Sequence, residues 1–185
     1  MIDRWGIPPL WDREPGFLTL IHIILEQQVS LASAQAAFDR LKALTDIVTP
    51  EFFLTLDDDT LKQIGFSRQK TRYGRLLSEA ILNGSLDLLA MTQQSDEAVF
   101  NTLTSLKGIG PWTANIYLLM VLCRPDIWPV GDVALATAAK EVKHLPQRPS
   151  QDDLLKMSVD WQPWRSAAAR ILWHHYLSVR AKKSV

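Results

Sequence analysis

The chain has a single cysteine, Cys123, among its 185 residues. One thiol excludes an internal disulfide framework, a cysteine zinc site and a four-cysteine iron–sulfur cluster, and Cys123 is expected to pack in the core. Net charge is missing too: twenty basic residues cancel twenty acidic ones. Nothing global therefore marks a nucleic-acid binder, which is often basic overall, and any such role must rest on local features. No apolar run approaches the ~20 residues of a membrane span. The opening "MIDRWGIPPLWDREPGF" lacks the basic start and apolar middle of a secretory signal and the arginine-rich character of a transit peptide, so a mature cytoplasmic chain is expected. Strand patterns, internal repeats and low-complexity tracts are also absent, which leaves an all-α fold.

What is present is ordinary for a globular protein, with 47% apolar and 22% charged residues. The length suits one domain, or one core with two lobes. Seven tryptophans stand out. Wide flat side chains either fill a core or line a cleft for flat ligands, and composition does not choose between these.

Apolar periodicity and capping residues divide the chain into short helices. The segment from Phe17 to Leu44 breaks at "QQVS", where Ser30 caps a second helix with Leu31, Ala34, Phe38 and Leu41 on one face. Thr49 and Pro50 open a third, and the aspartates of "LDDDTLKQIG" a fourth that Gly65 ends. Ser67 begins a longer helix with Tyr73, Leu76, Leu77, Ala80 and Ile81 at helical spacing, closed by Asn83 and Gly84. Ser95 starts another through Val99 and Leu103. Pro111 starts the next, to about Leu122, before the irregular "RPDIWPVGD". Asp132 stands at the N-cap position of "VALATAAKEV". After the linker "HLPQRP", Ser150 and Asp153 form a capping box, and a last helix runs from Pro163 to about Arg180. The adjacent His174 and His175 diverge on that helix and are expected to be structural.

Between two of these helices lies "SLKGIGPWTANIYL". Glycines in so tight a turn reach backbone angles other residues avoid and leave no side chain to block an approaching backbone. The amides and dipole at the start of the following helix favour an anion, so a phosphodiester is a natural guest, with Lys107 adding charge. On the glycines alone, a plain glycine-capped helix turn is the commoner explanation.

The stretch from Leu106 to Asp132, "LKGIGPWTAN" followed by "WPVGD", resembles the helix-hairpin-helix motif and catalytic aspartate loop of the HhH-GPD DNA glycosylase superfamily, which includes endonuclease III and 3-methyladenine DNA glycosylase II. "ILEQQVSLASA", "IGFSRQKTRYGRLLSEAILNG" and "WQPWRSAAARILWHHY" resemble its alkylation-repair branch in the same order. The resemblance implies an all-helical, two-lobed fold: a barrel-like lobe over about 17–123, a second lobe from 1–16 plus 124–185, and the active cleft between them. The β-containing N-terminal domain of some bacterial relatives has no room here, so a minimal, monomeric catalytic core is expected.

The resemblance also implies roles. Asp132 matches the catalytic aspartate, which stabilises an oxocarbenium-like sugar and helps position or deprotonate water; it also suits a helix cap. Trp112 stands where bifunctional relatives carry a nucleophilic lysine, which implies a monofunctional enzyme leaving an abasic site in double-stranded DNA. Trp112 and Trp164 are candidates to stack on a flipped, electron-poor alkylated purine. Trp128 and Trp161 lie near matched motifs as wall or core, and Ile116 replaces a tyrosine found in some members. Lys107, Gly108, Ile109, Gly110, Trp112 and Thr113 would contact DNA, with Gln27 and Gln28 at the position of the family's wedge. Arg68, Arg72 and Arg75 share a face that suits a phosphate track or plain solvation. Carbonyls of Thr104, Leu106 and Gly108 would hold a monovalent cation; no iron–sulfur cluster or other cofactor is expected. Two other readings stay open: a helix-hairpin-helix DNA-binding module that has lost catalysis, or a glycosylase for another damaged base.

Overall fold

The computed structural model describes residues 2–181, and among these all regular structure is helical. The chain forms two compact units, one of Arg13–Tyr117 and one of the N-terminal segment to Asp12 with the chain from Leu118 onward. No helix of the described residues is long and apolar enough to cross a membrane.

The unit from Arg13 is built on helix α2 (Phe17–Glu26), in which Leu20, Ile21, Ile23, Ile24 and Leu25 are all buried. A helix apolar on nearly every side is a core helix, and α3 (Leu31–Lys42), α6 (Arg68–Leu82) and α8 (Pro111–Ile116) pack against it. Between them lie α4 (Pro50–Thr55), α5 (Asp58–Ile64), a 3₁₀ turn (Ala90–Gln93) and α7 (Asp96–Ser105). Ser30, Thr49, Asp57, Ser67 and Ser95 each accept a backbone N–H three residues on, as their sequence positions suggested. Each such cap stabilises its helix by about 1 kcal/mol.

Two buried faces differ from the periodicity. In α3, Leu31 is exposed, Ala37 is buried, and Phe38 is half-buried with its ring stacked on His22 at 4.0 Å. In α6 the buried side is Thr71, Gly74, Leu77, Ser78 and Ala80, while Tyr73, Leu76 and Ile81 lie on its flanks. The cause is Phe53, fully buried on α4, which also meets Phe17 and Phe66 at 5.9 and 5.5 Å. A Cβ on Gly74 would stand 2.5 Å from its ring, so α6 needs small residues where Phe53 fills the space.

The other unit contains α1 (Ile2–Trp5), α9 (Val133–Val142), α10 (Gln151–Ser158), a 3₁₀ turn (Val159–Trp161) and α11 (Arg165–Ala181). α11 packs along α9 and receives α1. The Trp5 indole donates to His175 Nδ1 at 3.3 Å, which leaves Nε2 to donate to Glu141 at 3.0 Å. His174 Nε2 donates to the Trp5 carbonyl at 2.8 Å. The two histidines therefore anchor the N-terminal arm.

The helix expected from Pro111 to about Leu122 changes register midway: α8 ends at Ile116 and Tyr117–Val121 is π-helical. Cys123 follows it in the left-handed region, φ 51°, and is exposed, contrary to the core position expected. The chain reverses there, with the Arg124 N–H donating to the Leu118 carbonyl at 3.0 Å and the surface thiol of Cys123 3.9 Å from the Met120 carbonyl.

Gly74→Ala is expected to lower stability by roughly 1–3 kcal/mol through overpacking against Phe53. Chemical denaturation would show this as a fall in midpoint at unchanged slope.

Candidate functional site

Ser105 ends α7 and Pro111 opens α8, and the five residues between them form the hairpin. Its two glycines are there for different reasons. Gly108 has φ 102°, and a Cβ on it would stand 2.1 Å from the ring of Tyr73. Gly110 is extended, φ −91° and ψ 177°, with no atom within 4 Å of where its Cβ would be. Neither backbone strain nor internal packing requires glycine at 110; the bare backbone there faces open space. Ile109 is buried and its N–H donates to the Leu106 carbonyl at 3.0 Å, so the loop is pinned to the core between the glycines. Pro111 occupies the first helical position, where a missing N–H costs nothing, and Lys107 is exposed.

The hairpin is tied to the end of α2. Gln27 Nε2 donates to the Gly108 carbonyl and to Thr113 Oγ1, each at 2.9 Å. Gln28 beside it is exposed at φ 56°. Lys70 Nζ donates to the Leu25 carbonyl at 2.7 Å, and burial lowers the pKa of this lysine. Arg13 grips Glu26 bidentately at 2.7 and 3.0 Å. Trp112 is half-buried, and Thr113 and Ile116 are buried. Thr104 turns its hydroxyl back to the Phe100 carbonyl, 2.8 Å. Of the carbonyls nominated for a cation, Leu106 and Gly108 each accept one N–H, which leaves each oxygen a second lone pair. Such neutral oxygens suit a hard monovalent cation in kind. Arg75 bonds Asp58 at 2.6 Å and the Leu56 carbonyl at 3.1 Å, so it is committed within its own unit and does not join Arg68 and Arg72, which are exposed.

The carboxylate loop belongs to the other unit. Asp132 is 8% exposed, and its Oδ1 accepts the Leu135 N–H at 2.8 Å, so it is the N-cap of α9 that its position suggested. The preceding Gly131 donates its N–H to Gln151 Oε1 at 2.8 Å. Upstream the loop is fixed by α11: Arg165 donates to both oxygens of Asp126 at 2.7 and 2.9 Å and to its carbonyl at 3.0 Å. Ser166 Oγ donates to the Arg124 carbonyl at 2.6 Å and accepts from Ile127 N–H at 3.0 Å. These hydrogen bonds from Arg165 hold the Asp126 carboxyl below the usual carboxylate range. Arg170, buried, donates to the Leu119 carbonyl at 2.7 Å.

Trp128 is buried with its ring 5.2 Å from that of Trp161, whereas Trp164 is 64% exposed. The candidate residues thus fall into two sets. Gln27, Gln28, the hairpin, Trp112, Thr113 and Ile116 stand in one unit, and Trp128, Asp132 and Trp164 in the other. The Gln27 bridge and the Arg165 clamp were not apparent from the sequence, because partners 81 and 39 residues apart leave no local spacing signal.

The Asp126–Arg165 pair carries a sign for pH. A carboxyl whose pKa is depressed on folding contributes stability above its unfolded pKa of about 3.9, and the contribution is lost as pH falls through the folded value. Asp126→Asn is expected to cost about 1 kcal/mol at pH 7 for a partly exposed charge-assisted pair, with the difference shrinking below about pH 4. Urea midpoints at several pH values check this.

Comparison with known proteins shows the family. Residues 21–163 match the family described as HhH-GPD superfamily base excision DNA repair protein. YfjP of Bacillus subtilis is 31% identical over 162 residues, which is 83% of this chain and 56% of that protein. DNA-3-methyladenine glycosylase 1 of Schizosaccharomyces pombe is 31% identical over 166 residues, 88% of this chain and 73% of that protein. The structure of S. pombe 3-methyladenine DNA glycosylase Mag1 in complex with abasic DNA aligns with a TM-score of 0.82 at 28% identity, covering 89% of this chain and 81% of that one. The chain thus spans just over half of the first relative and about three quarters of the second. With the hairpin, Trp112 and Asp132 all inside the matched region, the chain belongs to the HhH-GPD superfamily of base excision DNA repair proteins.

Proposed function

We propose that this protein hydrolyses the N-glycosidic bond of alkylated purines such as 3-methyladenine or 7-methylguanine in double-stranded DNA, leaving an abasic site and an uncut strand. The observation that carries the reading is Asp132, a buried carboxylate held by the first turn of α9 in a loop that α11 clamps in place. Fixed negative charge is what an oxocarbenium-like sugar requires. The C–N bond breaks with its electron pair leaving on the base, which in a cationic alkylated purine departs neutral. The Asp132 carboxylate stabilises the sugar cation and receives a proton from the water whose oxygen forms the new bond. A relative of which this chain spans about three quarters, DNA-3-methyladenine glycosylase 1 of S. pombe, supports the substrate class by its name.

The hairpin grips the DNA backbone: Gly110 lets a phosphodiester approach the start of α8, with Lys107 beside it. A monovalent cation on the carbonyls of Thr104, Leu106 and Gly108 would add positive charge for that phosphate. Trp164, exposed, and Trp112, half-buried, each offer an indole face on which a flipped base can stack, while Trp128 and Ile116 are buried. Trp112 has no amine to form a Schiff base, so water is the nucleophile and no lyase step follows.

Asp132→Asn is expected to lower single-turnover base release at least about 100-fold while binding to abasic-site duplex persists. Borohydride should trap no covalent protein–DNA adduct. Undiminished release in Asp132→Asn, or a trapped adduct, would refute the scheme. The two hairpin glycines should separate: Gly108→Ala loses stability against Tyr73, whereas Gly110→Ala keeps its unfolding midpoint and weakens duplex binding about tenfold or more.

A further inference from the structure

We infer that Gln27 is a positioning residue, a strut that locks the DNA-gripping hairpin to the turn bearing Gln28, and that it makes no DNA contact of its own. The inference rests on the proposed function and concerns how the two DNA-facing segments of one unit are held. A glutamine side chain has two N–H donors on one nitrogen. Nε2 of Gln27 lies 2.9 Å from the Gly108 carbonyl and 2.9 Å from Thr113 Oγ1, so both donors are used. What remains is Oε1, an acceptor, which cannot bond a phosphate oxygen.

The two bonds span the hairpin. Gly108 is its left-handed residue and Thr113 lies in the first turn of α8, buried. One side chain therefore fixes the spacing between the loop carbonyl and the helix start, on either side of the open Gly110. At its other end Gln27 is equally constrained. It is the C-cap of α2, with its own N–H on the Ile24 carbonyl at 3.3 Å. Its neighbours are held by Lys70 on the Leu25 carbonyl and Arg13 on Glu26. Gln28 projects from this braced turn at φ 56°, exposed. A register set by the hairpin on the backbone is passed through Gln27 to Gln28.

A double-mutant cycle tests this, read as affinity for a duplex carrying a stable abasic-site analogue. In the wild-type background Gln27→Ala is expected to weaken binding about tenfold, a loss of ~1.4 kcal/mol. In the Gly110→Ala background, where the hairpin grip is already lost, the same change should cost less than about twofold. Gln27→Glu, nearly isosteric, lacks both donors at pH 8 and should repeat the pattern if Gln27→Ala proves unstable. Equal losses in both backgrounds would make Gln27 a direct DNA contact and overturn the strut, as would no loss in either. Additive losses with base release intact would sink the strut alone. A wild-type chain that neither binds the duplex nor releases base would sink the proposed function as well.

Discussion

The ring of Tyr73 occupies the space that a side chain at Gly108 would need, and the shape of the hairpin follows from that contact. Only glycine fits beside the ring, and only glycine readily takes φ 102°, so the chain turns there. The turn sends Ile109 into the core, aims the Gly108 carbonyl at Gln27, and brings Gly110 out extended with nothing around it. Pro111 then starts α8 at once. Tyr73 lies on α6, whose close packing on α4 is set by Phe53 against Gly74. The hairpin is thus held from beneath by the core, and its outer face at Gly110 is bare.

The carboxylate is placed by a different device. In the second unit a short irregular loop must present Asp132, and loops hold position only where their polar groups are tied down. Arg165 and Ser166 do this from the first turn of α11, and the cap at Leu135 fixes the carboxylate itself. Capping is compatible with the role proposed for Asp132, because the Leu135 N–H that it accepts orients the carboxyl group. The tryptophans divide in the same spirit, with Trp128 packed on Trp161 as support and Trp164 exposed as surface.

Much of this was legible from residue order alone. Serine, threonine and aspartate caps act over three residues, so Ser30, Thr49, Asp57, Ser67, Ser95, Asp132 and Ser150 could be read where they stand. The hairpin and the aspartate loop were legible because their chemistry lies in contiguous motifs. What escaped depends on distant partners or on shape. Gly74 is buried because Phe53, from another helix, needs room, which hydrophobic periodicity does not register. Arg75 answers to Asp58, and Asp126 to Arg165, across loops that carry no spacing rule. The register change at Tyr117 and the exposure of Cys123 follow from how the chain leaves α8, which no local residue announces.

The central claim is that an ordered carboxylate and a bare hairpin together make a base-releasing enzyme that does not cut the strand. Its most direct test is to incubate the protein with methylated duplex DNA and measure free methylated purine by chromatography, alongside strand integrity before and after alkali. The account predicts released 3-methyladenine or 7-methylguanine, with strands intact until alkali is added. Absence of any released base, or strand breaks before alkali, would contradict it.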